Sequence, residues 1–177
     1  MTKTAVIYHS GYGHPQRLAQ FVADGAQAQL IAIDADGNIS EADWATLDAA
    51  DAIVFGSPTY MGMVSWQFKK FADASSKRWF SGAWKDKVAG GFTISANLSG
   101  DKLSTLQYFM TLSMQHGMVW VGQPAMNDGH INRIGSNSGV MAQVGPTSPA
   151  ADIPQGDLDT AKAYGERVAA VAAKLRG

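Results

Sequence analysis

The sequence predicts a three-layer α/β/α fold built on a doubly wound, five-stranded parallel sheet in the order 2-1-3-4-5. Three observations predict it. Short β-branched and aromatic runs alternate along the chain with stretches of helical periodicity. Strands separated in this way by helices pair in parallel through right-handed crossovers. The 177 residues contain no internal repeat and no linker, so they read as one domain spanning 1–177.

Thr4 to His9 is the first buried strand. Pro15 suits the first turn of the following helix, where its missing N–H costs nothing, and Leu18, Phe21, Val22 and Gly25 share one face of that helix. Gln29 to Ile33 is the second strand, and Asp36-Gly37-Asn38 turns the chain. Ser40 with Asp43 forms a capping arrangement for a short helix ending near Ala49. Ala52 to Gly56 is the third strand, and Ser57 to Met63 a loop. Val64, Phe68, Phe71, Ala72 and Ser75 then mark the inner face of a helix whose Lys69, Lys70 and Lys77 face water. Val88 to Ser95 is the fourth strand, followed by a loop from Ala96 to Gly100. A long helix with Leu103, Leu106, Met110 and Ser113 inward ends near His116-Gly117, and Met118 to Val121 is the fifth strand. Gly122 to Gly156 shows no periodicity. The last helix runs from about Asp157 to Arg176, with Leu158, Ala161, Tyr164, Val168, Val171 and Leu175 facing inward.

Hydrophobic residues make up 46% of the chain, which excludes a low-complexity disordered polymer. The formal net charge of -1 provides no field that would attract nucleic acid or an anionic membrane. With no cysteine, disulfides, thiol catalysis and Cys-ligated metals are excluded, and the redox compartment stays open. No apolar run approaches a membrane span, and the first strand is too short for a signal-peptide core, so a cytoplasmic protein is expected. His9, His14 and His130 share no metal-ligand spacing, and no metal site is expected.

Doubly wound sheets bind ligands at the carboxyl ends of their strands, at the switch point between the first and third. Three loops lie there. The first is Ser10-Gly11-Tyr12-Gly13-His14-Pro15. It ends a strand and opens a helix, where free amides and the helix dipole favour an anion, and the Ser10 hydroxyl can donate to a phosphate oxygen. It is neither a Walker loop nor a dinucleotide fingerprint, and by itself it is also an ordinary turn of small residues. The second loop holds Ser57, Pro58, Thr59, Tyr60, Met61 and Gly62. Thr59 and backbone groups can meet the polar edge of a flat ring, with Tyr60 or Met61 on its face. A proline turn with core-facing aromatics fits the same residues. The third holds Ser95, Ala96, Asn97, Leu98, Ser99 and Gly100, small residues with several N–H donors. Ser99 or Asp101 can equally serve as a helix N-cap.

At these loops together the chain resembles the flavodoxin superfamily, specifically the WrbA-like NAD(P)H:quinone oxidoreductases and their FMN-reductase relatives. The matching residues are Ser10 with Tyr12-Gly13-His14, Gly56-Ser57-Pro58-Thr59 with Gly62-Met63, and Trp79 with Ser81-Gly82-Ala83. His116-Gly117-Met118-Val119, Ala161, Tyr164-Gly165-Glu166 and Val168-Ala169 extend the match over nearly the whole chain. The chain departs from the family at Tyr60-Met61-Gly62, where Arg-Phe-Gly is usual, and at Asn97 to Asp101, where a Thr- and Gly-rich loop usually leads to Gly-Gly-Gln-Glu. The family's insertion after the second strand is shortened.

The resemblance implies a flavodoxin-like fold, bound FMN, NAD(P)H as co-substrate, and ping-pong transfer of two electrons to a quinone-like acceptor. The first loop is short enough for one terminal phosphate, so FMN is expected rather than FAD. The resemblance also places His116 beside the flavin and brings Trp79 towards the flavin of a neighbouring subunit, in a homodimer or homotetramer. With Tyr60, these are the candidate catalytic residues. His116 before Gly117 also suits a helix C-terminus on dipole grounds alone, and Trp79 a structural anchor. The segment from Gly122 to Gly156 is long for a connection. It is expected to order against a neighbouring subunit and line the approach to the flavin through Asn127, His130, Asn132, Asn137 and Ser138. A one-electron carrier is the runner-up, although such carriers tend to be strongly acidic. A flavin-free binding protein of the same fold is a third reading. A receiver domain is discounted because the third strand ends in Phe55-Gly56-Ser57, without the aspartate that such domains phosphorylate.

Overall fold

A computed structural model describes residues 2–177. Strands β1 (Thr4–His9), β2 (Gln29–Ile33), β3 (Ala52–Tyr60), β5 (Val88–Ser95) and β6 (Val119–Trp120) form one parallel sheet in the order β2-β1-β3-β5-β6. Leaving aside the short β4 (Met63–Val64), which folds back antiparallel on β3, this is the predicted 2-1-3-4-5 arrangement. Successive strand side chains point to opposite faces, and each face has its own helices. On one, Val6, Tyr8, Val54 and Phe92 meet Leu18 and Val22 of α1 (His14–Ala26) and Leu158, Tyr164 and Val168 of α6 (Gln155–Arg176). On the other, Ile7, Ile53 and Phe55 meet Trp44 and Leu47 of α2 (Glu41–Ala49), Phe68 and Phe71 of α3 (Trp66–Ala74) and Leu106 and Phe109 of α5 (Lys102–Gln115). A one-and-a-half-turn helix, α4 (Ser76–Ser81), follows α3. None of the helices among the described residues is long and apolar enough to cross a membrane.

Local chemistry sets the boundaries. The Ser40 hydroxyl accepts from the Asp43 amide while the Asp43 carboxylate accepts from the Ser40 amide, completing the expected box at the start of α2. Helices α1 and α6 cross at Gly25 and Gly165. A Cβ on Gly25 would lie 2.0 Å from the Lys162 carbonyl oxygen, and one on Gly165 2.0 Å from that of Val22, so only glycine lets the two backbones touch.

Four expectations are corrected. The predicted loop at Ser57–Met63 is the end of β3 plus a two-residue hairpin turn, Met61-Gly62, both at positive φ (47° and 79°). The inner face of α5 is turned by one position. Lys102, Thr105, Leu106, Phe109, Leu112 and Ser113 are buried, while Leu103 is exposed and Met110 half-buried. Phe109 packs against Phe55 with its ring tilted and against Phe68 edge to face, which fixes that rotation. In α6 Leu175 is exposed and Ala172 buried.

The fourth correction concerns 122–156. This segment, which shows no periodicity in the sequence, contains a strand, β7 (Val140–Gln143), that pairs with the upper half of β5 (Phe92↔Val140 to Ser95↔Gln143). β6 covers only the lower half (Val88↔Val119, Ala89↔Trp120). The fifth strand is therefore broken in two, and residues 121–139 loop out at the break. There the Tyr164 hydroxyl accepts from the Gly91 amide (3.1 Å) and donates to the Val121 carbonyl (2.5 Å), taking the place of the missing ladder bond. The loop rests on α6, with the Asn132 amide on Thr160 Oγ1 (2.8 Å) and Arg167 Nε on the Gly122 carbonyl (3.0 Å). His130 pairs with Asp159 (2.7 Å).

Tyr164→Phe removes the hydroxyl and leaves a buried amide and a buried carbonyl unpaired, at a cost of about 1–3 kcal/mol. Thermal unfolding followed by circular dichroism is expected to show a fall in Tm of several degrees; an unchanged Tm would show that the break is held by other contacts.

Candidate functional site

The carboxyl ends of β1, β3, β5 and β7 enclose a cleft of about 230 Å³. It is lined by Tyr12, His14 and Pro15, by Pro58, Thr59 and Tyr60, by Ile94, Ser95 and Ala96, and by Val144 and Pro146. This is the switch point between β1 and β3, where doubly wound sheets hold ligands.

The first loop is curled by its own serine. Ser10 Oγ accepts from the amides of Gly13 (3.1 Å) and Gln16 (3.2 Å), which leaves its O–H free to donate outward. Gly13 sits at φ +85°, a left-handed conformation costly for any side chain. The amides of Tyr12 and His14 have no acceptor among the described residues. His14 Nε2 donates to the Ser148 carbonyl (2.7 Å), tying the loop to the strap that carries Pro146. No lysine or arginine lines the cleft, so an anion there would be held by hydroxyl and amide donors.

At the second wall the hydroxyls serve the fold. Thr59 Oγ1 bonds to Thr93 Oγ1 and Thr105 Oγ1, each at 2.8 Å, and Ser57 Oγ accepts from the Ser65 amide (3.0 Å). Thr59 lines the cleft while its hydroxyl is buried in a three-threonine cluster. Tyr60 flanks the cleft, with Gly11 so close that a Cβ there would come within 3.2 Å of its hydroxyl. Partial burial and the neighbouring Tyr12 raise the Tyr60 pKa. Met61 and Gly62 form the hairpin corner outside the cleft, and the Met61 side chain is fully exposed.

The third wall is Ser95 and Ala96. Asn97 turns its carbonyl to Lys102, while Leu98 and Ser99 line a separate hollow with Arg133 and Met141. Gly100 packs against Ser95. Gln143 Nε2 donates to the Ala96 carbonyl (2.8 Å), and the buried Asp157 accepts from the Gln143 amide (3.0 Å) and Arg133 Nη2 (2.8 Å). Val144, Pro146, Ile94, Gln143 and Lys102 were missed in the sequence. For Lys102 the signal was present, because it lies on the same helical face as Leu106 and Phe109.

His116 and Trp79 do not line this cleft. His116 lies at the far end of the 14-residue α5, about 20 Å of helix from Lys102. It is buried against Trp84 (ring centroids 4.4 Å apart), with Nε2 on Ser75 Oγ (2.9 Å). With Trp79, Ser75, Ala72 and Tyr108 it borders a second hollow of about 380 Å³. The whole of α5 separates His116 from this cleft.

A family model described as NADPH-dependent FMN reductase matches residues 42–132. Flavodoxin FldP of Pseudomonas aeruginosa is 50% identical over 182 residues, covering 99% of each chain. An NAD(P)H dehydrogenase (quinone) of Azorhizobium caulinodans is 34% identical over 201 residues, covering 100% of each. The crystal structure of a flavodoxin, WrbA-like protein from Agrobacterium tumefaciens superimposes with a TM-score of 0.84 at 56% identity, covering 98% of this chain and 99% of that one. The chain belongs to the flavodoxin-like NADPH-dependent FMN reductase family, an oxidoreductase family whose cofactor is FMN and whose electron donor is NAD(P)H. The cleft fits FMN: free amides and a hydroxyl at one end suit a phosphate, and small residues opposite Tyr60 leave room for a flat ring.

Burial lowers the pKa of His116, and of His9, below the ordinary value near 6.5. Below about pH 6.5 the unfolded chain then takes up protons that the folded chain refuses, so stability falls as pH drops from 7 to 5. His116→Gln is expected to flatten part of that slope in urea unfolding, and an unchanged slope would place the dependence elsewhere.

Proposed function

We propose that this chain is an FMN-dependent NAD(P)H:quinone oxidoreductase that works as a homodimer or homotetramer. The observation that carries the reading is the open, charge-free cleft, whose outer edge is formed by the aromatic rings of Tyr12 and Tyr60. Bound FMN supplies the redox chemistry, taking hydride from NAD(P)H and delivering it to a quinone-like acceptor. Ser10, Gly11, Tyr12, Gly13, His14 and Pro15 hold the phosphate. Pro58, Thr59 and Tyr60 border the ring, with Met61 and Gly62 shaping the hairpin behind them, and Ser95 and Ala96 face its polar edge.

The second part of the reading concerns Trp79, 52% exposed, and Phe80, 87% exposed, which leave a large apolar surface without a partner in the monomer. An acceptor or nicotinamide needs a stacking surface that excludes water. Trp79 provides one for the cleft of a neighbouring subunit. His116 then acts as a positioning residue, because its Ser75 partner is the junction between α3 and α4 on which Trp79 is mounted. The relative named NAD(P)H dehydrogenase (quinone) supports this reading. The relative named Flavodoxin FldP favours a second, an FMN-containing electron carrier, although the net charge of -1 provides little steering towards a redox partner.

Stopped-flow reduction by NADPH and NADH, followed by reoxidation with benzoquinone, separates the two readings. A reductase is reduced by at least one nucleotide within its turnover time, whereas a carrier is reduced by neither. Trp79→Ala is expected to lower kcat/KM for quinone about tenfold, about 1.4 kcal/mol, with FMN affinity kept; equal loss of both would make Trp79 structural. Gly13→Val is expected to weaken FMN binding about tenfold or more, since the loop must then hold a branched residue in a left-handed conformation worth about 1–2 kcal/mol of strain. Wild-type affinity in that variant would place the phosphate elsewhere.

A further inference from the structure

Behind the third wall of the cleft lies a lysine with no access to water. Lys102, the first residue of α5, is 0% exposed. Its ammonium donates to Ser95 Oγ (2.8 Å) and to the Asn97 carbonyl (2.6 Å). It thus closes a short ring around Ala96, and Ser95 and Ala96 are cleft-lining residues. The turn is braced from two other sides. Gln143 holds the Ala96 carbonyl, and Gly100 lies so near that a Cβ on it would be 2.1 Å from Ser95 Oγ.

A buried ammonium is costly unless its charge is matched. The partners of Lys102 are a hydroxyl and a carbonyl, both neutral. The carboxylate that acts on it is Asp157, whose Oδ2 is already engaged by Arg133 and the Gln143 amide. Desolvation, with Arg133 adding to it and Asp157 opposing, lowers the Lys102 pKa to about 8, so the group stays largely charged at neutral pH. The third wall therefore has a positive charge directly behind it, in a cleft that is itself free of lysine and arginine.

Transfer of a hydride to a bound flavin brings two electrons and one proton, and so adds one negative charge to the site. Charge near the ring is one of the protein's means of tuning a flavin. We propose that Lys102 is a positioning and charge-setting residue for the flavin: it fixes the Ser95–Asn97 turn as the third wall and favours the reduced, more negative cofactor. The proposal rests on FMN occupying this cleft, and it is independent of which donor or acceptor serves the flavin.

Lys102→Met tests both halves. In the apo-protein, amide hydrogen exchange over 96–100 is expected to quicken about tenfold. In the FMN-loaded protein, affinity for reduced FMN is expected to fall about tenfold more than affinity for oxidised FMN. For a two-electron couple that is a fall of about 30 mV in midpoint potential, read by dithionite titration without NAD(P)H or quinone. Ser95→Ala keeps the charge and removes one tether, so exchange over 96–100 in the apo-protein is expected to quicken; it decides the positioning half if Lys102→Met does not fold. Wild-type exchange in Ser95→Ala and Lys102→Met overturns the positioning role, and an unchanged potential in Lys102→Met overturns the charge role. A wild-type protein that takes up no FMN overturns the cleft assignment itself, and shows as a missing flavin spectrum before any variant is made.

Discussion

The hydroxyl of Tyr164 is the contact on which the upper half of the molecule depends. The amides of an interior strand of a parallel sheet pair alternately with its two neighbours, and at Gly91 the neighbouring strand is absent. Tyr164 satisfies that amide and passes its own proton to the Val121 carbonyl, so one side chain of α6 replaces a stretch of backbone. Burial raises the pKa of the phenol well above its usual range, outweighing the Gly91 hydrogen bond and Arg167, which lower it, so it stays protonated and remains a donor. With the break closed, β7 can resume alongside the upper half of β5 and deliver Val144 and Pro146 to the cleft. Gln143 at the end of the same strand braces Ala96. The wall opposite Tyr60 is therefore assembled through α6, a helix that does not itself line the cleft.

Polar side chains near the cleft divide into those that face it and those that hold it. The Thr59, Thr93 and Thr105 cluster locks β3 to β5 and α5 at the height where the site begins, and Ser57 with Ser65 locks the hairpin. These residues are buried and satisfied by one another. Ser10 differs. It accepts two amides and still has a proton to give, so the same oxygen shapes the first loop and serves as a donor.

The fold was legible because the signals that define it are long and periodic. Val88 to Ser95 and the face of α1 cannot be read otherwise, and the Ser40–Asp43 box marked its helix start to the residue. The first loop was legible because a strand, two glycines and a proline occur in the order a strand-to-helix turn requires. Other features turned on tertiary packing that no local pattern records. β7 is four residues beside Gly139 and pairs with a strand some fifty positions earlier. Leu103 and Met110 are apolar and point to the wrong face of α5, because they lie off the seam that Phe109 makes with Phe55 and Phe68. Lys102 ran against the ordinary rule that lysines face water, and only its anchoring to Ser95 and Asn97 explains its burial. Trp79 carries a match to a family motif, and the structure places it on the surface away from the cleft, a position that no local pattern records.

The loop leaving the broken strand returns through a narrow neck. There the Gln123 amide donates to the Asn137 carbonyl (2.9 Å), and Asn137 Nδ2 donates back to the Gln123 carbonyl (2.8 Å). Everything between these two residues is topologically a side branch of the sheet. Closing a longer branch through the same neck costs only the slow logarithmic growth of loop entropy, about 0.6 kcal/mol per doubling. The exposed tip at Met126–Gly129 is thus a natural graft point, where residues can be gained while Asn132 and Arg133 keep their bonds to Thr160 and Asp157 and the ladder of β5 keeps its register.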